Sequence, residues 1–279
     1  MEKQGLVEKQ GLEKRSLQLE LPQSSDLTHQ NFLIIFPILC ITLAELLIYV
    51  GHIKASVWVH ITTIVMLSLS TIFIKNREIS RIHQSLMMLP ILRLVNLSMP
   101  IFFDLTLYSY VFIYGPLLIP IIIIARSQHF TRAEMGLTFN KFWTYTLLSI
   151  PLGFLLGLGE YLTIRAGYMI PNLSLLSVLE LTFVMVFFVG FIEEIIFRSF
   201  IQTRLEEVLG LRKGMIIASL LFGLMHSGYG TPFEMFYTGF VGLFIGSAFQ
   251  KTRSLPFVGI LHGFVNVFLF GIIPHVVLG

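Results

Sequence analysis

The chain has 279 residues, of which 55% are hydrophobic and only 13% are charged. Soluble domains average about 25% charged residues, so one water-soluble core cannot bury this many apolar side chains, and the composition indicates a membrane protein. A single cysteine, Cys40, excludes a disulfide scaffold and a thiolate metal cluster. The formal net charge of +3 does not indicate nucleic-acid binding, because the basic residues stand singly in short gaps between apolar runs.

The first thirty residues are polar and contain a near-duplicate, EKQGL at residues 2–6 and again at residues 8–12. No apolar segment with a small-residue cleavage site follows a basic start, so the pattern is not that of a secretory signal peptide. We therefore predict a mobile cytosolic tail over residues 1–30.

Beyond the tail the chain is a series of apolar runs close to the roughly 20 residues that a helix needs to cross a bilayer. Lipid offers the backbone no hydrogen-bond partner, so the runs are expected to be helices. The expected fold class is an all-α polytopic bundle of about eight transmembrane helices, within a range of about seven to nine. Pro116 and Pro120 predict a break in the fourth run. The candidate runs are 31–50, 55–74, 86–103, 105–125, 142–159, 173–197, 215–230, 233–249 and 255–278.

The basic residues alternate between the two sides of these runs, with twelve on one side and two, Lys54 and Arg165, on the other. Short cytoplasmic loops carry the excess of Lys and Arg, so the twelve predict the cytosolic side. They are Lys75, Arg77, Arg81, Arg126, Arg132, Lys141, Arg198, Arg204, Arg212, Lys213, Lys251 and Arg253.

Ionisable residues inside the runs are candidate functional residues, because an unpaired charge in a membrane costs several kcal/mol. Six stand alone in sequence, and we interpret each as structural, with Arg93 paired to one of the acids. These six are Glu45, His60, Arg93, Asp104, Glu160 and Glu180. The last third of the chain differs, since its polar groups form three spaced clusters. The clusters are E-E-x-x-x-R (Glu193, Glu194, Arg198), F-x-x-x-H (Phe222, His226) and H-x-x-x-N (His262, Asn266).

Helical spacing separates the roles of these residues. Glu194 and Arg198 are four apart and can form a local ion pair, while Glu193 is rotated by about 100° and faces elsewhere. If the sixth helix continues to a turn near Gly210, Glu193 lies 17 residues before the turn and His226 lies 16 after it. An antiparallel hairpin would then place Glu193 and His226 at the same depth.

The three motifs, in this order on separate apolar helices, resemble those of the CPBP intramembrane proteases, which include the CAAX prenyl endopeptidases and the bacterial Abi proteins. The stretch AEMGL at residues 133–137 resembles a segment upstream of their core. The resemblance covers about residues 131–268 and implies an endopeptidase with a water-filled cavity that opens to the cytosol. We therefore divide the chain into the tail (1–30), N-terminal transmembrane helices (31–130) and a CPBP-like catalytic core (131–279).

Peptide hydrolysis needs a base for water, donors to the oxyanion and a proton for the leaving amine. Glu193 is the expected general base, His226 holds the same water and shuttles the proton, and His262 with Asn266 donates to the oxyanion. The resemblance implies the same division of roles in a glutamate-type peptidase. Glu194, Arg198 and Phe222 are expected to support these four residues.

Several alternatives remain open at this stage. No metal cofactor is expected, but Glu193 with the two histidines could ligate zinc. Serine and cysteine nucleophiles are disfavoured, because G-x-S-x-G is absent and Cys40 lies far from the histidines in sequence. A non-catalytic binding or bacteriocin-immunity protein and a transporter are the other classes, although no internal repeat supports the latter.

The expected partners are membrane lipid and a peptide or lipidated protein substrate, without nucleic acid. A CAAX substrate carries a prenylated cysteine, and the Phe-rich stretch 183–191 could line a groove for it. We expect a multi-pass integral membrane protein, in the plasma membrane of a prokaryote or the endoplasmic reticulum of a eukaryote, with its N-terminus and active-site opening toward the cytosol.

Overall fold

A computed structural model describes residues 24–104 and 106–278 of the chain. Most of the predicted tail, residues 1–23, lies outside the described residues. Two compact units make up the chain, one ending at Phe36 and the other comprising Pro37–Gly279. The predicted boundary at residue 131 stays a prediction.

Within the described residues every regular element is helical, as expected from the apolar runs. Nine helices follow one another there: α1 (Ser24–Tyr49), α2 (Ile53–Phe73), α3 (Arg77–Phe102), α4 (Ser109–Ser127), α5 (Phe142–Ile164), α6 (Leu175–Leu209), α7 (Leu211–Leu224), α8 (Pro232–Thr252) and α9 (Leu255–Val277). All but α7 and α8 are long and apolar enough to cross a membrane. The prediction of an all-α polytopic bundle is confirmed.

The predicted break in the fourth run is also confirmed. A 3₁₀ turn at Gly115–Leu117 separates Ser109–Tyr114 from Leu118–Ser127. Pro116 occupies the start of this turn, where its missing N–H costs no hydrogen bond.

Helix α6 is longer than the predicted sixth run and has wide π-helical turns at Val184–Gly190 and Ile195–Gln202. Between them lies the short α-helical stretch Phe191–Glu194. Two arginines assigned to a cytosolic gap, Arg198 and Arg204, instead lie inside α6 and are 0% and 1% exposed. That assignment was wrong because the helix continues past Phe197 to Leu209, and the other ten basic residues predicted on the same side still outnumber Lys54 and Arg165.

The hairpin between α6 and α7 turns at Gly210, as predicted, with a φ of +86° that favours glycine. The seventh run was expected to continue to Gly230, but α7 ends at Leu224. His226 therefore lies in the turn after α7 rather than on it. The reason is local, because Gly228, Gly230 and Pro232 all disfavour a continuing helix.

Glycines allow α6 and α9 to approach backbone to backbone. A Cβ at Gly190 would lie 2.5 Å from the Gly259 carbonyl oxygen and 2.7 Å from the Gly263 nitrogen. Gly259 and Gly263 form a G-x-x-x-G pattern, which favours close helix packing in membranes. This approach brings the helix that carries His262 against the helix that carries Glu193.

We expect Gly190→Ala to destabilise the protein, because the new methyl group meets backbone that cannot move aside. Overpacking of this kind costs about 1–3 kcal/mol, and the separation of α6 from α9 should also lower activity. Gly167→Ala is the matched control, since a Cβ at Gly167 meets nothing within 4 Å. Thermal unfolding in detergent measures the difference, and equal midpoints for the two variants would contradict the packing argument.

The AEMGL segment connects α6 to the start of α9. The Ser199 hydroxyl donates to the Met135 carbonyl at 2.8 Å, and the Leu255 N–H donates to the Gly136 carbonyl at 2.7 Å. Gly136 has a φ of +72°, and a Cβ there would lie 2.5 Å from the Phe249 ring. The segment thus fixes the end of α9 from which His262 is reached.

Glu134 of the same segment bonds the buried Arg204 of α6 at 3.0 Å. Burial raises the pKa of Glu134, but hydrogen bonds from Thr131 and Arg204 outweigh it and hold the pKa below its ordinary value of 4.5. The ionised carboxylate therefore stabilises the fold above pH 4.5, and this contribution is lost as the pH falls through the lowered pKa. We expect Glu134→Gln to lower the unfolding temperature at neutral pH. The difference in unfolding temperature between the variant and the unmodified protein should become smaller in acid. If that difference in unfolding temperature did not change with pH, the stabilising role of the ionised Glu134 would be ruled out.

Candidate active site

Glu193 is buried, 8% exposed, in the α-helical stretch between the two π-helical turns of α6. The Tyr114 hydroxyl, from α4, donates a short hydrogen bond to Glu193 Oε1. The other carboxylate oxygen, Oε2, lies 3.8 Å from Nε2 of His262. Glu193 therefore faces polar groups of two other helices rather than lipid.

His262 lies between two carboxylates. Its Nδ1 donates to Glu194 Oε1 at 2.9 Å, while its Nε2 faces Glu193. The predicted ion pair of Glu194 with Arg198 is present, with 2.9 Å between Oε2 and Nε. Glu194 has a second contact that the sequence did not predict, since it also fixes the orientation of the His262 ring.

Phe222 packs among the motif residues. Its ring centroid lies 4.9 Å from that of Phe197, 5.0 Å from that of His226 and 5.6 Å from that of His262. The Arg198 guanidinium lies 5.0 Å from the Phe222 centroid, a cation–π contact that offsets part of the burial of its charge. The aromatic residue of F-x-x-x-H is thus the apolar wall that both imidazoles share.

His226 is placed differently from the other motif residues. Its Nδ1 lies 2.9 Å from the Phe222 carbonyl oxygen. Its acidic neighbours are Glu160 and Glu234, each of which brings a ligand atom within 4.8 Å of the histidine's. Among the described residues no ion pair joins His226 to Glu193, so the expectation that these two share one water stays a prediction.

Asn266 lies one turn beyond His262 on α9 and is 6% exposed. Its side chain makes no hydrogen bond to any residue in the described part of the chain. The amide is therefore free to donate to a group that enters beside His262.

A buried network from the N-terminal helices holds the turn that carries His226. Arg93 makes a bidentate pair with Glu45, at 2.9 and 2.6 Å, and donates a short hydrogen bond to the Met225 carbonyl. Glu45 also accepts from the Ser227 hydroxyl at 2.6 Å, and His60 lies 3.4 Å away. The interpretation of Arg93 as one half of an ion pair is confirmed, and the pair fixes both neighbours of His226.

We expect the double variant Glu45→Met/Arg93→Met to lower kcat with little change in KM. Removing both charges avoids an unpaired buried ion, but it frees the turn, and a misplacement of about 1 Å costs about 100-fold in rate. Arg77→Met, at an exposed arginine of the same helix α3, is the control. A fall in activity that only tracks the folded fraction would show that the network has no positioning role.

Sequence reasoning missed two residues of this region and interpreted three others as isolated structural groups. Tyr114 was hidden in an apolar run, where a tyrosine is unremarkable. Glu234 occupies the first turn of α8, an ordinary place for an acid. Glu45, Arg93 and Glu160 were noted as lone residues, and only their positions in space show which partners they have.

Two cavities of the protein lie away from the motif residues. One of about 360 Å³ lies beside Glu134 and Arg253, and one of about 690 Å³ lies between α2 and α3 beside Trp58 and Leu94. Neither is lined by a motif residue, so the expected wet cavity at the motifs stays a prediction.

Residues 175–268 match a family model described as type II CAAX prenyl endopeptidase Rce1-like. We refer to these matched residues as the Rce1-like segment. The match confirms the resemblance to the CPBP proteases. No curated protein and no solved structure matches the chain.

The Rce1-like segment contains all seven motif residues, from Glu193 to Asn266. It excludes Tyr114, Glu45 and Arg93, which contact the motifs or the turn of His226 from the N-terminal helices. The match supports a protease. Within it, contacts join Glu193, Glu194 and His262, and the Phe222 ring lies against both His226 and His262.

Proposed function

We propose that the chain is an intramembrane endopeptidase that hydrolyses a peptide bond with water activated by Glu193. One observation carries this proposal: within the Rce1-like segment, a buried carboxylate faces an imidazole at 3.8 Å. A carboxylate that only packed helices together would not need a tyrosine donor, a histidine and a second acid arranged around it. Buried ionisable groups in transmembrane helices are functional candidates for this reason.

In the proposed mechanism Glu193 takes a proton from water, which attacks the scissile carbonyl. Tyr114 holds Oε1 and leaves Oε2 to face the water. His262, held through Nδ1 by Glu194, presents a protonated Nε2 to the developing oxyanion, and Asn266 adds a second donor. His226 carries the proton to the leaving amine. These residues supply the base, the donors and the proton carrier, and no step requires a metal.

We propose a membrane-associated substrate, with a prenylated CAAX-type peptide as the first candidate. Phe183 and Phe187 are each 56% exposed on α6, and their ring centroids lie 5.3 Å apart with the rings tilted. Phe187 continues the row to Phe191 at 5.9 Å, two residues before Glu193. This row of phenyl rings offers an isoprenoid chain an apolar surface that ends at the proposed base.

The active site is proposed to open toward the cytosol in a plasma membrane or an endoplasmic reticulum. The excess of Lys and Arg in the gaps on that side supports this orientation. Substituted-cysteine labelling in sealed vesicles can test it, with the native Cys40 replaced. If cysteines introduced at positions 75 and 54 were labelled from the same side of the membrane, the proposed orientation would be contradicted.

The test of function is cleavage of a fluorogenic CAAX peptide by the purified full chain, with and without a prenyl group. We expect cleavage of the prenylated peptide and loss of cleavage in His262→Ala. Glu78→Gln, at an exposed residue of α3, should remain active. A protein that binds the prenylated peptide without cleaving it would be the non-catalytic alternative.

A further inference from the structure

Three ionisable residues outside the Glu193–His262 contact come together from separate elements. Glu160 lies near the end of α5, His226 in the turn after α7 and Glu234 in the first turn of α8. One possible ligand atom from each lies within 4.8 Å of the others. Glu160 and Glu234 are 5% and 0% exposed, so the two carboxylates are shielded from bulk water, while His226 is half-buried.

The two carboxylates have no cationic side chain to neutralise them. Every Lys or Arg ion pair among the described residues involves another acid. Two adjacent buried carboxylates repel each other and lose their hydration. Glu160 and Glu234 also share a side-chain hydrogen bond, so one of them holds a proton when no cation is present. A metal cation could take the place of that proton.

His226 is oriented as a ligand. Its Nδ1–H donates to the Phe222 carbonyl at 2.9 Å, so in the neutral ring Nε2 carries the lone pair. Metal-binding histidines usually donate their second ring N–H to a carbonyl or carboxylate in this way. A lone pair beside two carboxylates is unfavourable unless a proton or a metal cation lies between them.

Glu234 supplies a second, independent indication. Its Oε2 lies within hydrogen-bond distance of the Thr163 hydroxyl, whereas its Oε1 has no donor in the described residues apart from a protonated Glu160 carboxyl, although the side chain is fully buried. A buried oxygen without a donor costs about 1–3 kcal/mol. An ion at this point would satisfy it.

We propose that Glu160, His226 and Glu234 bind one divalent transition-metal ion, with Zn²⁺ as the best fit. Imidazole nitrogen and carboxylate oxygen are both zinc ligands, and three protein ligands leave a fourth position open. This set differs from the Glu193 and two-histidine set that the sequence suggested, and it leaves Glu193 free. An ion on Nε2 would take His226 out of the proposed proton transfer, because Nδ1–H already donates to the Phe222 carbonyl, so peptide cleavage belongs to the ion-free form. The inference goes beyond the proposed function, because the ion can bind whether or not the chain cleaves peptides.

The test measures Zn²⁺ binding to the full chain, purified without a histidine tag and stripped with a chelator. We expect one ion per chain by calorimetry and by elemental analysis. Glu160→Gln and Glu234→Gln should each weaken binding about 10-fold or more, while Glu78→Gln should bind as the unmodified protein does. Using variants on two helices, each checked by gel filtration, separates ligand loss from misfolding.

Two results would overturn the site: absence of a stoichiometric ion, or equal Zn²⁺ binding by both variants and the control. Co²⁺ substitution adds a spectroscopic check, since a histidine-ligated Co²⁺ ion should show visible absorption that His226→Gln loses. The cleavage assay is run in parallel on stripped protein. Cleavage without bound ion retains the proposed function even if the site fails, and an ion bound without cleavage retains the site alone.

Discussion

Glu193→Gln is expected to reduce the rate of peptide cleavage by about 10²- to 10⁴-fold, the usual contribution of a general base. Glutamine keeps the size of the side chain, and its amide oxygen can still accept from the Tyr114 hydroxyl. The variant should therefore fold normally and bind substrate. Single-turnover kinetics with the prenylated peptide would measure the chemical step directly.

The matched control for this variant is Glu180→Gln on the same helix, at a partly exposed acid outside the motifs. It should keep its activity, so that a general effect of removing charge from α6 is excluded. If Glu193→Gln cleaved as fast as the control, the base would have to be another group, and the role of the E-E pair would be structural.

The second large effect is expected from Glu194→Gln, which removes the counter-ion of a fully buried arginine. Arg198 is 0% exposed, and its two terminal nitrogens have no hydrogen-bond partner within the described residues. Breaking a buried ion pair on one side costs about 3–5 kcal/mol. Denaturant unfolding in mixed micelles should show a loss of this size.

The double variant Glu194→Gln/Arg198→Met separates charge from orientation. It removes both charges and keeps an amide oxygen that His262 Nδ1 can reach, so most of the stability should return. Cleavage should return with it, because the ring orientation is preserved. A double variant as unstable as the single one would show that the cost comes from lost packing rather than from an uncompensated charge.

The sequence predicted the architecture well because hydrophobic length is a strong signal in membranes. The break at Pro116 and the turn at Gly210 also follow from local chemistry. The π-helical turns of α6 do not, since a wide turn depends on the packing of neighbouring helices and not on a residue pattern. The same limit explains in part why Arg204 was placed in a gap, since Glu134, one of its two acidic partners, lies far away in sequence.

The candidate site was predictable only in part. The motifs identified Glu193 and His262, which the structure brings together at 3.8 Å. They did not indicate that His226 adjoins Glu160 and Glu234, because the register between α5, α7 and α8 is set by tertiary contacts. Spacing along one helix can be read from sequence, whereas distance between helices cannot.

The turn at Met225–Ser227 is held by residues that lie outside the matched segment 175–268. Arg93 and Glu45 belong to helices that precede the matched segment, and so does Tyr114. An excised version beginning at residue 131 would retain every motif but lose these anchors. The smallest fragment expected to be active is therefore longer than the matched segment 175–268. A transplanted active site would have to include the N-terminal helices that carry Glu45, Arg93 and Tyr114.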